Sequence, residues 1–224
     1  VRDMFAKIAP RYDLLNHLLS FNRDKAWRRT TVKAVEPVLD REGALVLDVC
    51  CGTGDLALAL GGHRARIFAS DFCHPMLTES RTKGLARVFE ADALSLPVAS
   101  GRFDLVTVAF GLRNFVDYRA GLAELHRVLA PGGRLAILEF STPPNALFRV
   151  FYDAYSKWIL PRLGALISGS GEAYRYLPES VRKFPGADEL SVVLKEVGFS
   201  AVTYRRLTFG IVALHIAEVA KREG

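Results

Sequence analysis

The stretch that decides the fold is VLDVCCGTGDLALAL, residues 46–60. A buried strand is predicted over residues 45–49, and a helix is predicted from Asp55 to Gly61. Between them, Gly52 and Gly54 let the backbone approach a ligand closely, while the N-terminus of the following helix offers free N–H groups. The stretch therefore predicts a strand, a glycine turn and a helix that together form a nucleotide-binding site.

Alternating elements surround this stretch. From residue 44 to 140, apolar runs of strand length alternate with helical patterns, which indicates βαβ units and a parallel sheet. The predicted strands cover 45–49, 66–70, 87–90, 103–109, 135–140, 201–209 and 211–220; the predicted helices cover 55–61, 74–83, 119–129 and 188–197. A turn is expected at 131–133, and Gly210 is expected to join the last two strands. The fold class is α/β with a seven-stranded sheet.

The chain is expected to form one domain over residues 1–224. Of its 224 residues, 50% are hydrophobic and 24% are charged, so disorder is excluded as the main state. Residues 1–40 are expected to form a helical cover. Residues 141–182, rich in aromatic and turn-forming residues, are expected to be an insertion that forms a lid over the substrate site.

The charge balance allows more than one partner. Thirty Lys and Arg against 24 Asp and Glu give a net charge of +6, which suits nucleic acid or an anionic membrane. The cysteines Cys50, Cys51 and Cys73 lack metal-ligand spacing, so no metal is expected. No uncharged run approaches the roughly 18 residues of a membrane span. We expect a cytoplasmic protein, with peripheral contact with the inner face of the membrane.

A second acidic position follows the glycine turn and leaves two interpretations open. Asp71 ends the next predicted strand, 17 residues beyond Gly54, where a carboxylate can accept both hydroxyls of a ribose. In a dinucleotide dehydrogenase, Gly52, Gly54 and Ala57 would match the glycine-rich fingerprint and Asp71 would hold the adenosine ribose.

An S-adenosylmethionine-dependent methyltransferase uses further acidic residues that the dehydrogenase interpretation leaves without a role. Asp48, before the turn, would lie near the sulfonium and the amino-acid end of the cofactor, and Asp92 with Ala93 would face the adenine. Carboxylates suit a cationic sulfonium better than a pyrophosphate. These residues favour the methyltransferase.

Four separated stretches resemble the ubiquinone/menaquinone biosynthesis C-methyltransferase family. They are YDLLNHLLSFNRDKAWRR (12–29), LDVCCGTGDL (47–56), FGLRNFVD with RVLAPGGRLAILEFS (110–117 and 127–141), and YRYLPESVRKFPGADEL (174–190). The resemblance implies a class I, Rossmann-like methyltransferase fold whose mostly parallel sheet has an antiparallel C-terminal strand. It also implies S-adenosylmethionine as methyl donor, bound at Thr53, Asp71, Asp92 and Ala93. The chain departs from the family pattern at Asp24, where many relatives carry His, and at Cys50–Cys51.

The implied reaction is C-methylation of a prenylated quinol ring. SFNRDKAWRR (20–29) resembles the menaquinone-only members, which favours demethylmenaquinol as substrate and menaquinol as product, the last step of menaquinone biosynthesis. A polyprenyl methoxybenzoquinol of ubiquinone biosynthesis is the alternative, followed by another small molecule. A non-catalytic protein that binds the cofactor is a further alternative. No nucleic-acid partner is expected, since AFGLRN (109–114) lacks the (N/D)PP(Y/F) motif of base methyltransferases.

Polar residues near the end of the fourth strand are the catalytic candidates. Arg113 can stabilise a phenolate or hold a water that takes the proton, and Asn114 can hydrogen-bond a ring oxygen. Arg113 could instead tie its loop to a carboxylate. Tyr174 and Tyr176 could direct a hydroxyl at the quinol or pack in the lid. Glu139 could be a base or a loop anchor.

The prenyl tail of such a substrate needs an apolar cover. Candidates are the aromatic face of residues 148–159 (Phe148, Phe151, Tyr155, Trp158, Ile159) and the N-terminal Phe5, Ile8, Tyr12 and Leu15, although core packing explains the same pattern. A homodimer is a further expectation.

Overall fold

The computed structural model describes residues 2–9, 12–155, 158 and 171–221, without the side chains at positions 15, 151, 153 and 171–175. Its strands are β1 Leu45–Val49, β2 Arg66–Asp71, β3 Val88–Glu90, β4 Phe103–Ala109, β5 Leu129–Phe140, β6 Ala201–Leu207 and β7 Val212–Glu218. Its helices are α1 Arg2–Ile8, α2 Tyr12–Leu19, α3 Arg23–Leu39, α4 Asp55–Leu60, α5 His74–Thr82, α6 Tyr118–Val128, α7 Ala146–Ala154, α8 Gly171–Lys183 and α9 Ala187–Val197.

The seven strands form one sheet in the order β3-β2-β1-β4-β5-β7-β6. Strand β7 runs antiparallel to both of its neighbours, and the other adjacent pairs are parallel. The predicted fold class is therefore confirmed. The strand order reverses at β1, which pairs with β2 on one side and β4 on the other. Sheets of this kind bind ligands beyond the carboxyl ends of the strands at such a reversal.

The sheet is covered on both faces, which explains why its central strands are almost continuously apolar. Leu47 and Val49 of β1 point to a core shared with α6 and α9. Val46, the residue before Leu47, points to the opposite core, shared with α3 and α4. Asp48 interrupts the apolar run on that second side, and it is only 1% exposed. A carboxyl group buried at this point calls for a functional explanation.

Two connections differ from the prediction. The expected turn at 131–133 lies within β5, which begins at Leu129 because the pairing with β4 shifts register between Phe103 and Leu105. Gly132, at φ +76°, accommodates this irregularity inside the strand. Strands β6 and β7 are joined by a short 3₁₀ turn over Thr208–Gly210 rather than by a single glycine.

The N-terminal helices are fixed to the glycine turn by charged side chains. Lys83 contacts Asp13 of α2 and donates to Asp55, the first residue of α4, at 2.6 Å. Arg28 of α3 reaches the other oxygen of Asp55 at 3.1 Å. Helices α2 and α3 are thereby placed beside the carboxyl end of β1. In the part of the chain that the structure describes, no helix has the length and apolar character of a membrane span.

Candidate active site

A cavity of about 360 Å³ lies beyond the carboxyl ends of β1 to β4. The segments that follow these four strands form its walls, and Arg2, Phe5 and Tyr12 of the N-terminal helices cover it. Of the predicted cofactor residues, Gly52, Asp71, Asp92 and Ala93 line the cavity; Asp48, Thr53 and Gly54 do not.

Asp71 is held in place by the backbone of the turn beside it. Its Oδ2 accepts a hydrogen bond from the Gly52 N–H at 2.8 Å, and its Oδ1 accepts one from the Cys73 N–H at 2.9 Å. Gly52 lies at φ +54°, a conformation that favours glycine. Burial raises the pKa of Asp71. The carboxylate is thus oriented before any ligand arrives, with one edge towards the cavity.

Asp48 lies beneath the cavity rather than in its wall. Its Oδ1 accepts a hydrogen bond from the Thr107 hydroxyl at 2.6 Å, whereas Oδ2 is buried without a partner among the described residues. Burial raises the pKa of Asp48 to about 7. Asp48 can therefore change its charge near neutral pH, and a cation bound nearby would favour the ionised form.

Thr53 and Gly54 support the cavity instead of lining it. The Thr53 hydroxyl donates to Asp13 Oδ1 at 2.5 Å and accepts from Lys83 Nζ at 3.2 Å, so its side chain holds α2 against the turn. Gly54 begins α4 at φ +86°, where a Cβ atom would lie 2.3 Å from a methyl carbon of Leu85. That position requires glycine for packing.

A second cavity, of about 80 Å³, adjoins the first. Phe5, Tyr12 and Phe110 line both cavities, so these three side chains stand at their junction. The remaining lining residues come from α1, α2 and α3, from the segment after β4, from β5 and from α8: Met4, Ile8, Asn16, Ser20, Asp24, Trp27, Arg28, Arg113, Phe140, Tyr176 and Leu177. Tyr176 and Leu177 are the contribution of the expected lid in its described part.

Arg113 lines the second cavity and is ion-paired at the same time. Its guanidinium donates to Glu139 Oε1 at 2.8 Å and to the Phe110 carbonyl, and it lies 5.2 Å from the centre of the Phe140 ring. Its Nε–H is buried and has no acceptor within the described ranges. Glu139 also accepts from the Phe140 N–H at 2.8 Å. Glu139 is therefore the anchor of this loop, and the Arg113 side chain makes its hydrogen bonds to Glu139 and Phe110 through Nη1.

Asn114 and Tyr176 form a hydrogen-bonded pair across the two cavities. The Tyr176 hydroxyl donates to Asn114 Oδ1 at 3.0 Å; Asn114 lines the first cavity and Tyr176 the second. Burial raises the pKa of Tyr176. The predicted catalytic side chain of Tyr174, two residues earlier in α8, lies outside the described residues.

The sequence analysis missed a polar stripe along the N-terminal helices. Every fourth residue from 12 to 28 lines the second cavity: Tyr12, Asn16, Ser20, Asp24 and Arg28. Tyr12 was expected only as cover for a tail, yet it lines both cavities, and burial raises its pKa. Four-residue spacing indicates a shared face within each helix, but α2 and α3 are separate helices joined through Phe21 and Asn22 at positive φ, so the sequence pattern alone does not align the two parts of the stripe.

The cysteines beside the turn are thiols with raised pKa values. Cys50 lines the first cavity, and burial raises its pKa well above the ordinary value. Burial raises the pKa of Cys51 in the same way. A thiol that stays protonated neither attacks a base nor binds a metal readily.

The family model for the ubiE/COQ5 methyltransferase family matches residues 1–219 of the chain. A protein of Thermus thermophilus named "Demethylmenaquinone methyltransferase" is 51% identical over 96% of this chain and 99% of its own. A protein of Geobacter sulfurreducens named "Ubiquinone/menaquinone biosynthesis C-methyltransferase UbiE" is 44% identical over 97% of this chain and 88% of its own.

Solved structures share the fold at low sequence identity. A "[4+2]-Cyclase SpnF" superposes with a TM-score of 0.70 at 18% identity, covering 99% of this chain and 95% of its own. A "SAM dependent methyltransferase from Aquifex aeolicus" gives 0.58 at 19% identity, covering 84% and 88%. Since one of these two is titled a cyclase, the fold alone does not fix the reaction.

Proposed function

Because the chain belongs to the ubiE/COQ5 methyltransferase family, we propose that it methylates a ring carbon of a prenylated quinol, with S-adenosylmethionine as donor, demethylmenaquinol as substrate and menaquinol as product. The observation that carries the proposal is the pair of adjoining cavities, one with ribose acceptors and one with aromatic walls, which meet at Phe5, Tyr12 and Phe110. The name of the Thermus relative supports the naphthoquinol over the benzoquinol.

The first cavity suits S-adenosylmethionine. Asp71 would accept the ribose hydroxyls, Asp92 and Ala93 would border the adenine, and the Gly52 backbone would face the amino-acid part. Glu90 also lines this cavity, paired with Arg2, so three carboxyl groups and one guanidinium face it. The excess of negative charge opposes a pyrophosphate and favours a cation. When bound, the donor supplies a methyl group on a positively charged sulfur, which is already a good electrophile.

The second cavity suits an electron-rich ring. Phe110 stands between two aromatic neighbours, with ring centres 5.9 Å from Trp27 and 4.8 Å from Phe140. The guanidinium of Arg113, which lines this cavity, would stabilise a phenolate oxygen, and Asn114 would hydrogen-bond a ring oxygen. Positioning and exclusion of water would then supply much of the rate.

A surface for anionic lipid lies beside this cavity. Leu14 and Leu18 are exposed on the far side of α2 from the polar stripe, Phe21 is exposed in the turn after α2, and Leu147 and Val150 are exposed on α7. The segments are joined, since the Tyr155 hydroxyl donates to the Leu19 carbonyl. Apolar residues that surround an entrance would let a prenylated substrate leave the bilayer. Membrane contact is therefore part of the proposal.

The expected homodimer remains a prediction as well. Strand β6 is an edge of the sheet, and its outward residues Thr203 and Arg205 are exposed. Light scattering on the purified protein would determine the number of chains in the particle.

The decisive experiment incubates the protein with labelled S-adenosylmethionine and chemically reduced demethylmenaquinone. We expect label in menaquinol, and none when the substrate is left oxidised, because only the quinol is an electron-rich ring. A reduced methoxybenzoquinone with a matched tail is the comparison for the alternative substrate. Absence of labelled product from both quinols would refute the proposed function.

Arg113→Lys tests the role given to the guanidinium. Lysine keeps the charge opposite Glu139 but loses the fixed planar donors. We expect turnover to fall on the order of 10²-fold, while S-adenosylhomocysteine affinity measured by calorimetry stays within about twofold, since Arg113 does not line the first cavity. An unchanged turnover would remove Arg113 from the catalytic residues.

A further inference from the structure

Asp24 is the one carboxyl group among the described residues that line the second cavity. It belongs to the polar stripe of the N-terminal helices, and its side chain is 4% exposed. A carboxylate buried to this extent is costly unless it is paired or used.

Asp24 is bonded on both oxygens. Oδ1 accepts the Ser20 hydroxyl at 2.8 Å, and Oδ2 accepts Arg28 at 2.6 Å and lies 2.6 Å from His17 Nδ1. Although burial alone would raise the pKa of Asp24, the hydrogen bonds from Ser20 and Arg28 hold it below its ordinary value. A carboxylate offers about four acceptor positions, so one position on Oδ1 is left for a further donor.

His17 connects this carboxylate to the outside. Its side chain is 25% exposed, against 4% for Asp24, so the pair leads from the cavity wall to solvent. The charged groups around the pair are Arg28 of α3 and, beyond Arg28, Asp55 of α4. His17, Asp24 and Asp55 lie close enough to hold a metal ion, but the Arg28 guanidinium already bridges the two carboxylates.

The proposed reaction must export a proton from this cavity. Replacement of a ring hydrogen by a methyl group releases one proton, and the ring carbon becomes nucleophilic only after a hydroxyl has lost its own. The other ionisable side chains that line the cavity hold their own proton at neutral pH, whereas the lowered pKa of Asp24 keeps this carboxylate ionised and able to accept one. Arg28 and Arg113 remain protonated at any ordinary pH, and burial raises the pKa of Tyr12 and Tyr176.

We infer that Asp24 accepts the hydroxyl proton of the quinol and that His17 passes it to solvent; the inference rests on the proposed function. The quinol O–H bond breaks, and its electron pair is shared from oxygen to the ring carbon ortho to it. That carbon bonds the methyl group, whose bond to the donor sulfur breaks and leaves its electron pair on sulfur. The carbon then loses its hydrogen as a proton, which restores the aromatic ring. The product oxygen regains a proton, so one proton in total leaves through His17.

Asp24→Asn tests the acceptor directly. At neutral pH we expect methyl transfer to fall on the order of 10²- to 10³-fold, with S-adenosylhomocysteine affinity within about twofold. The loss should shrink as the pH rises towards about 10, because a phenol then ionises without help. A variant that is merely misfolded would not recover with pH. A loss of equal size at every pH, or no loss at all, would overturn the inference.

The matched control is a second His–Asp pair outside the site. His63 Nδ1 lies 2.7 Å from Asp40 Oδ1 on an exposed surface. Asp40→Asn removes the same kind of contact, and we expect turnover and its pH profile to match the wild type. The activity of the wild type on the quinol distinguishes failure of the proposed function from failure of the role inferred for Asp24. An active wild type with an unaffected Asp24→Asn refutes the inference alone, whereas an inactive wild type refutes both.

His17→Ala provides an independent variant, since His17 is half-buried and its removal leaves Asp24 paired with Arg28. We expect a loss of roughly tenfold at neutral pH, because water must replace the relay. Added imidazole, a diffusible proton carrier, should restore part of the rate. Full activity in His17→Ala, or no response to imidazole, would exclude His17 from the proton path.

Discussion

At the scale of single residues, Asp48 gives the clearest pH dependence. With a pKa of about 7, it is protonated below neutrality and ionised above it. A bound cation favours the ionised form, so S-adenosylmethionine affinity should increase as the pH rises through about 7 and then level off. Calorimetry at several pH values would show this rise. The affinity of Asp48→Asn for S-adenosylmethionine should not change with pH over this range. An affinity that rises with pH as steeply as that of the wild type would contradict the role given to Asp48.

Asp48 should also make the stability of the fold depend on pH, in the opposite direction to the affinity. The folded-state pKa of Asp48 lies above its unfolded value of about 3.9, so the folded protein binds more protons than the unfolded chain between the two values. The free energy of unfolding of the free protein should therefore decrease as the pH rises from about 4 to about 7. Urea titrations should show that the free energy of unfolding of Asp48→Asn increases relative to that of the wild type over this range, by on the order of 4 kcal/mol at most.

Single residues also show how far the sequence could predict the site. Strand and turn patterns place Gly52, Asp71 and Asp92 at strand ends, and the structure brings all three to one cavity. Which atoms face that cavity depends on contacts between distant segments. Thr53 donates a hydrogen bond to Asp13, 40 residues away in the chain, and no local sequence pattern predicts that partner.

At the scale of elements, the charged contacts that hold α2 on the glycine turn should couple the cover to cofactor binding. Asp13→Asn keeps the size of the side chain but weakens its contacts with Lys83 and Thr53. Because Phe5 and Tyr12 close both cavities, we expect S-adenosylhomocysteine affinity to fall roughly five- to tenfold. Hydrogen exchange of the α2 amides should become faster.

An exposed ion pair elsewhere provides the control for this variant. Arg119 and Glu196 join α6 to α9 at 2.7 Å, with both side chains about half exposed. Arg119→Gln should change neither the affinity nor the exchange of α2. Asp13→Asn with wild-type affinity and exchange would show that the contacts are incidental.

The boundaries of helices and strands are also predicted less well from the sequence than their type. The parallel strands follow from βαβ alternation, and the antiparallel C-terminal strand follows from the resemblance to the methyltransferase family. The start of β5 could not be predicted from the sequence pattern, since Pro131–Gly133 has the composition of a turn. Pairing with β4 and β7 satisfies the backbone there, so long-range hydrogen bonds override the local preference.

At the scale of the whole molecule, the net charge of +6 has a specific distribution around the apolar residues. Lys25, Arg29 and Lys33 are exposed at four-residue spacing along α3, and within the described ranges none of them lies within ion-pair distance of a carboxylate. Trp27 of the same helix donates to Thr208 at 2.8 Å, next to the exposed Phe209. The basic stripe lies on the side of α3 away from Trp27, on the helix that directly follows the exposed Leu14, Leu18 and Phe21.

This arrangement predicts selective binding to anionic vesicles. We expect sedimentation with phosphatidylglycerol vesicles, little with phosphatidylcholine vesicles, and a decrease as salt is raised, because each basic residue near such a surface contributes about 1 kcal/mol. Leu18→Glu should weaken binding and lower turnover on a substrate embedded in vesicles, but not on a short-tailed soluble quinol. Val192→Glu, at an equally exposed apolar site on α9, should change neither. Equal losses in the two variants would place the membrane contact elsewhere on the protein.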